Sequence, residues 1–228
     1  MKRMLALALV VVFLPAAALA AGEDTVKSRV KAWAEKQETG LYGGYSLLYY
    51  DDPLFEEIIG RDYQPLVRLG AGWYPVPNLA LEFAVGGMHE LAESVGSISG
   101  KGSGEEFELW VAPVEAGLRY RFKFIDNQLV VPSVFAGFDY WYFREERDSD
   151  DYVDGDKRGW HWGADLGILL DPIDPEGAFS MRKYWEVNDT YLCLGYEALE
   201  MEADGGLDFS GEIFTVSLRF DLGAAPER

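Results

Sequence analysis

The chain has 228 residues, a formal charge of -19 and a single cysteine, Cys193. So acidic a chain lacks the lysine and arginine excess on which phosphate binding rests, which excludes nucleic acid as a partner, and one cysteine leaves no intrachain disulfide to hold the fold. No segment offers the roughly 20 continuous apolar residues of a membrane helix, while 25 glycines and 14% aromatic residues suit β-structure.

Residues 1–20 open with Lys2 and Arg3, continue as an apolar run from Leu5 to Leu14 and finish in Ala16-Ala17-Ala18-Leu19-Ala20. This is the pattern of a secretory signal peptide cleaved after Ala20. Cleavage takes the charge to -21 and leaves 208 residues, a length that suits one all-β domain. The residue after the expected cleavage site is Ala21 rather than the cysteine that a lipoprotein anchor needs. Residues 21–39 form an N-terminal helix or linker: Val26, Val30, Trp33 and Ala34 recur at helical spacing, with Lys27, Arg29, Lys31 and Lys36 elsewhere. The pattern predicts a short amphipathic helix over 24–37, with Trp33 as an interfacial anchor.

Eight strands are predicted, at 40–50, 65–74, 79–90, 106–123, 129–143, 158–170, 187–200 and 211–222. The connections after the second and fourth are short, Pro75–Asn78 and Ile125–Gln128, as periplasmic turns are. Those after the first, third, fifth and seventh (51–64, 91–105, 144–157 and 201–210) are longer, acidic or glycine-rich, as outer loops are. The connection 171–186, opening with Asp171-Pro172-Ile173-Asp174-Pro175, breaks this alternation.

A period of two through these strands yields one apolar set, for example Val67, Leu69, Phe83, Leu118, Phe138, Leu166, Leu194 and Val216. The alternate positions are charged or small. They include Arg68, Glu82, Glu115, Arg119, Asp139, Asp165, Glu197 and Arg219, with Gly70, Gly137 and Gly163 between them. Arginine facing lipid near the midplane costs roughly 2–4 kcal/mol. The apolar set therefore faces lipid and the charged set faces the lumen. The fold class is all-β, an eight-stranded antiparallel transmembrane up-and-down β-barrel over residues 40–222, with a C-terminal tail at 223–228. A lumen this narrow is filled by its own side chains, so the arginines are expected to pair with the carboxylates in an internal network. A polar gate or narrow pore is the functional reading of the same residues.

The signal peptide, the amphipathic strands, the interior arginines and carboxylates, and the final strand Phe214-x-Val216-x-Leu218-x-Phe220 resemble the small outer-membrane β-barrel superfamily that includes the OmpA barrel, OmpX and OmpW-like proteins. The resemblance implies a Gram-negative outer-membrane location and insertion by the barrel assembly machinery. It implies contact with outer-membrane lipids and lipopolysaccharide, through divalent cations where carboxylates meet lipid phosphates, in a monomeric protein. The superfamily commonly ends on an aromatic residue, whereas Asp221–Arg228 extend past Phe220 here. Anchors, adhesins, small pores and lipid enzymes share this architecture.

Three constellations could carry chemistry. Asp148, Asp150, Asp151, Asp154 and Asp156 supply hard oxygen ligands for a metal ion, without EF-hand spacing and with the composition of a solvated outer loop. His89 lies near Glu90, Glu93, Ser94 and Ser97, while His161 falls between Trp160 and Trp162; neither matches a quoted lipid-enzyme motif, and no catalytic residue is assigned. Met181–Trp185 is a basic and aromatic cluster suited to inner-leaflet headgroups, a periplasmic partner or the aromatic girdle. The expectation is a non-enzymatic barrel without cofactor, in a structural or surface-interaction role. A narrow pore or conduit for small or hydrophobic molecules is the first alternative and a lipid-modifying enzyme the second.

Overall fold

A computed structural model describes residues 39–53, 55, 61–76, 78–95, 102–125, 127–147, 152–202 and 208–223. The signal peptide expected at 1–20, the helix expected at 24–37, Asp148, Asp150, Asp151 and the residues after Gly223 lie outside the described residues. Eight strands, β1 (Thr39–Tyr50), β2 (Tyr63–Val76), β3 (Leu79–Val95), β4 (Gly102–Arg121), β5 (Val130–Arg147), β6 (Tyr152–Leu169), β7 (Val187–Met201) and β8 (Gly211–Leu222), follow one another around a closed barrel. Each pairs antiparallel with its neighbours in sequence, and β8 closes on β1.

The register fixes the shape. A path from Gly40 through its registered partners Gly72, Glu82, Gly117, Gly137, His161, Leu199 and Gly211 returns on Tyr50, ten residues further along β1. A shear of ten over eight strands, at ~3.3 Å per residue and ~4.8 Å between strands, tilts the strands by about 40°. The apolar outward positions from Trp160 on β6 to Leu170 just past its end then rise about 25 Å along the barrel axis, the height of a lipid-facing band. Across this band large side chains stand bare, Phe83 at 65% and Phe138 at 77% exposure. An apolar belt of that extent is a lipid-facing surface.

Two short turns use asparagine in the left-handed region, Asn78 (φ 68°) and Asn127 (φ 55°). In the second, Gln128 ties the turn with hydrogen bonds to the Phe124 N–H and to the carbonyls of Phe122 and Val130. The long connection 171–186 is a helix, α1 (Pro175–Trp185). Asp174 caps it by accepting from the Gly177 N–H, Pro175 starts it, and Glu186 ends it at φ 56° with its N–H on the Met181 carbonyl. Beside it Asp171 accepts from the Thr190 N–H, with Arg182 at 3.6 Å. Burial raises the Asp171 carboxyl above its ordinary range against the pull of that N–H.

The outer ends correct the expected boundaries. Residues 91–105 and 144–157 are not loops throughout: β3 runs to Val95 and β4 starts at Gly102, while β5 runs to Arg147 and β6 starts at Tyr152. Asp154 and Asp156 accordingly lie on β6, registered with Arg144 and Tyr142. The strands continue above the lipid band, where water replaces lipid and the outward positions become polar, as at Glu108, Asp156 and Arg158.

Candidate functional site

The lumen is built in storeys. At the periplasmic end Arg121 pairs with Asp221 (2.7 Å) and Lys123 with Asp189 (2.5 Å). The Tyr74 hydroxyl accepts from both Arg121 (3.2 Å) and Arg219 (3.0 Å). Above them Glu82 takes two guanidinium groups, Arg219 at 2.5 Å and Arg119 at 2.8 Å, and Arg119 also bonds Asp165. In the next storey Arg68 reaches Glu197 (2.9 Å) and Glu115 (3.3 Å) and donates to the hydroxyls of Thr215 (2.7 Å) and Ser46 (3.3 Å). His161 Nδ1 lies 2.7 Å from Asp139 Oδ2.

Every residue singled out for the lumen, Arg68, Glu82, Glu115, Arg119, Asp139, Asp165, Glu197 and Arg219, thus points inward. The register joins them into separate clusters rather than one continuous web: one around Glu82, one around Arg68, and the pair Asp139–His161. Asp139 pairs with His161, not with an arginine. Arg121, Asp221, Lys123 and Asp189 complete the floor; all four carry the inward parity of their strands in the sequence, Lys123 at the end of the predicted strand 106–123 and Asp189 near the start of 187–200. Inward glycines make room for the larger lumen groups. A Cβ on Gly137 would stand 2.7 Å from the His161 ring, and one on Gly70 would stand 2.2 Å from the Tyr42 ring.

The interior is not polar throughout, which corrects the expected picture. Above the ion pairs, Leu48, Leu66, Met88, Leu109, Val111, Trp141, Leu199, Met201 and Ile213 point inward, and Phe55 and Phe209 fold in from the connections to complete a buried apolar plug. Phe55 stacks on Tyr50 at 3.7 Å between ring centroids. Inward parity is unbroken along each strand; what changes is the medium outside. Within the bilayer a barrel is apolar outside and polar inside, and above it the same strands follow the rule of a protein in water. Between plug and floor a cavity of about 60 Å³ is lined by Tyr42, Arg68, Glu82, Glu115, Arg119 and His161, among others.

At the outer rim the β3–β4 ladder has no pairs at Gly86 and Gly87, opposite Pro113 and Ala112. Pro113 has no N–H to give. On the β2 side, pairing of β3 ends at Val67–Gly87. Side chains bridge the seam above: Arg61 pairs with Glu90, and the Tyr50 hydroxyl lies 3.7 Å from Met88 Sδ. His89 faces outward here, its ring tilted 30° against that of Trp110 at 4.0 Å between centroids and 3.6 Å from Glu108. Ser94 is carried further out on β3, and Ser97 lies outside the described residues.

A closed eight-stranded barrel with an apolar belt and an ion-paired lumen has the architecture of the small outer-membrane barrels. No family model matches the sequence, and no curated protein matches it. Among solved structures the chain is similar to the outer membrane protein OprG from Pseudomonas aeruginosa, with a TM-score of 0.54 at 10% identity over 84% of this chain and 99% of OprG. It is also similar to the N-terminal β-barrel domain of Pseudomonas aeruginosa OprF, at TM-score 0.47 and 12% identity over 82% of this chain and 99% of that one. A third is Ail of Yersinia pestis, in complex with the heparin analogue sucrose octasulfate, at TM-score 0.46 and 11% identity over 81% and 98%. The likeness is one of fold.

Proposed function

We propose that the protein is a closed, non-enzymatic barrel of the Gram-negative outer membrane whose role is structural or one of surface interaction through its raised acidic hairpins. The observation that carries this reading is closure: among the described residues a buried apolar plug lies above a buried layer of ion pairs, with a cavity of about 60 Å³ between them. Outside, β3–β4 and β5–β6 project beyond the lipid band and present Glu108, Asp154 and Asp156. Divalent cations bridge such carboxylates to lipopolysaccharide phosphates. Reconstitution in planar bilayers tests the closure. Folded barrels with no discrete openings are expected, and reproducible unit conductance from protein that migrates as a compact unboiled band would sink the reading.

One observation favours a lateral route for apolar molecules instead. The unpaired stretch at Gly86–Gly87 opens on a groove of about 420 Å³ lined by Gly87, Met88, His89, Trp110, Val111, Ala112, Tyr142 and Arg144. A Cβ on Gly87 meets nothing within 4 Å, so Gly87→Trp would fill the groove. Saturable quenching by a brominated fatty alcohol in the parent, abolished in Gly87→Trp, would support this route; equal non-saturable quenching in both would remove it.

A further inference from the structure

Charge is unevenly shared along the lumen. In the floor and middle, Arg119, Arg121, Lys123 and Arg219 meet Glu82, Asp165, Asp189 and Asp221, four against four. In the outer storey Glu115, Asp139 and Glu197 meet one guanidinium, that of Arg68, and one imidazole, that of His161. Two of these carboxylates are registered directly across β4 and β5, Glu115 opposite Asp139, both buried. Like charges at that position repel, and burial removes the water that would screen them.

We propose that Glu115, Asp139 and His161 bind one divalent transition-type cation inside the barrel. One donor atom from each residue lies within 4.8 Å of the other two. In a tetrahedral site with bonds of about 2.0–2.2 Å the ligands stand about 3.4 Å apart, so the side chains need to draw in by roughly an ångström. Asp139 Oδ1 is fully buried with no hydrogen-bond partner among the described residues, an orphaned anionic oxygen that a cation satisfies. Arg68 holds Glu115 at 3.3–3.4 Å and Glu197 more closely, at 2.9 Å, so Glu115 is the weaker-held of the two carboxylates. Imidazole with two carboxylates is a donor set for Zn²⁺ and its first-row neighbours rather than for Ca²⁺ or Mg²⁺. Glu115 and His161 also line the small cavity, which has space for water to complete the coordination. The cation adds positive charge beside three buried carboxylates.

Because plug and floor close both ends, the metal enters as the barrel forms, and the test is refolding. The full mature chain is refolded in detergent with ZnCl2 or with EDTA and passed over chelating resin. Zinc per folded barrel is then measured by mass spectrometry, with the folded fraction read from gel migration of unboiled samples. The expected result is about one zinc in the parent, a roughly tenfold or greater loss in Asp139→Asn and His161→Gln, and no loss in the Asp154→Asn/Asp156→Asn double variant. Parent barrels that hold no more zinc than Asp139→Asn, or that lose it in the outer-hairpin variant, overturn the proposal. Should the lumen variants fail to fold, Co²⁺ in the parent decides: visible d–d bands that survive the resin support the site, and their absence refutes it.

Discussion

Glu82 is the carboxylate on which the middle of the lumen turns, so Glu82→Ala is the sharpest perturbation of the barrel's inside. It removes the acceptor of Arg219 at 2.5 Å and Arg119 at 2.8 Å. Arg119 retains Asp165 and Arg219 retains the Tyr74 hydroxyl, but the storey is left one carboxylate short. Breaking a buried pair by deleting one partner costs about 3–5 kcal/mol. Both guanidinium groups keep a second partner, so the lower half of that range is expected, about 3 kcal/mol. Glu82→Gln keeps an acceptor oxygen and is expected to recover about half of the loss. The next residue supplies the control: Phe83 points to lipid at 65% exposure, and Phe83→Leu should cost about 1 kcal/mol or less. The assay is reversible urea-dependent folding into short-chain phosphatidylcholine vesicles, followed by tryptophan emission and gel migration. A Glu82→Ala barrel within about 1 kcal/mol of the parent, or one more stable than Phe83→Leu, would refute the account of the lumen as an ion-paired core.

Leu118→Arg, placing a cation outward in the belt, should cost roughly 2–4 kcal/mol of folding in lipid, measured in the same titration; an unchanged midpoint would mean the inside and outside faces are exchanged. Trp141 is fully buried in the plug, so Trp141→Ala should destabilise by about 3–5 kcal/mol and raise the frequency of current steps in planar bilayers, and a silent, equally stable variant would show that the plug does not close the barrel. Asp174→Ala removes the N-cap of α1 and should cost about 0.5–2 kcal/mol locally, read as faster amide exchange across 175–185 with the strands unaffected; uniform exchange would show that α1 stands without its cap.

The inside and outside faces of the spanning strands were legible because lipid imposes a strong, local rule. A charge at Arg68 or Arg119 and a leucine at Leu69 or Leu118 differ by several kcal/mol in which side of a sheet they tolerate. That rule weakens above the bilayer. At Tyr152–Arg158 the outer face is polar, and the predicted strand therefore stopped at 158 whereas β6 begins at Tyr152. The helix in 171–186 was signalled by Asp174-Pro175, an N-cap followed by proline at the first helical position, a pair that also opens turns.

The sequence by itself determined an eight-stranded barrel pattern and the parity of each strand, because period-two alternation against lipid is a property of single segments. Tertiary structure decided everything that depends on which strands meet at which height. The β4–β5 register sets Glu115 opposite Asp139, and closure of the barrel brings Arg119 and Arg219 to one carboxylate and gathers inward leucines with Phe55 and Phe209 into a plug. Parity states which face a side chain takes, whereas register states whom it meets, and register belongs to paired strands and their turns rather than to any single segment.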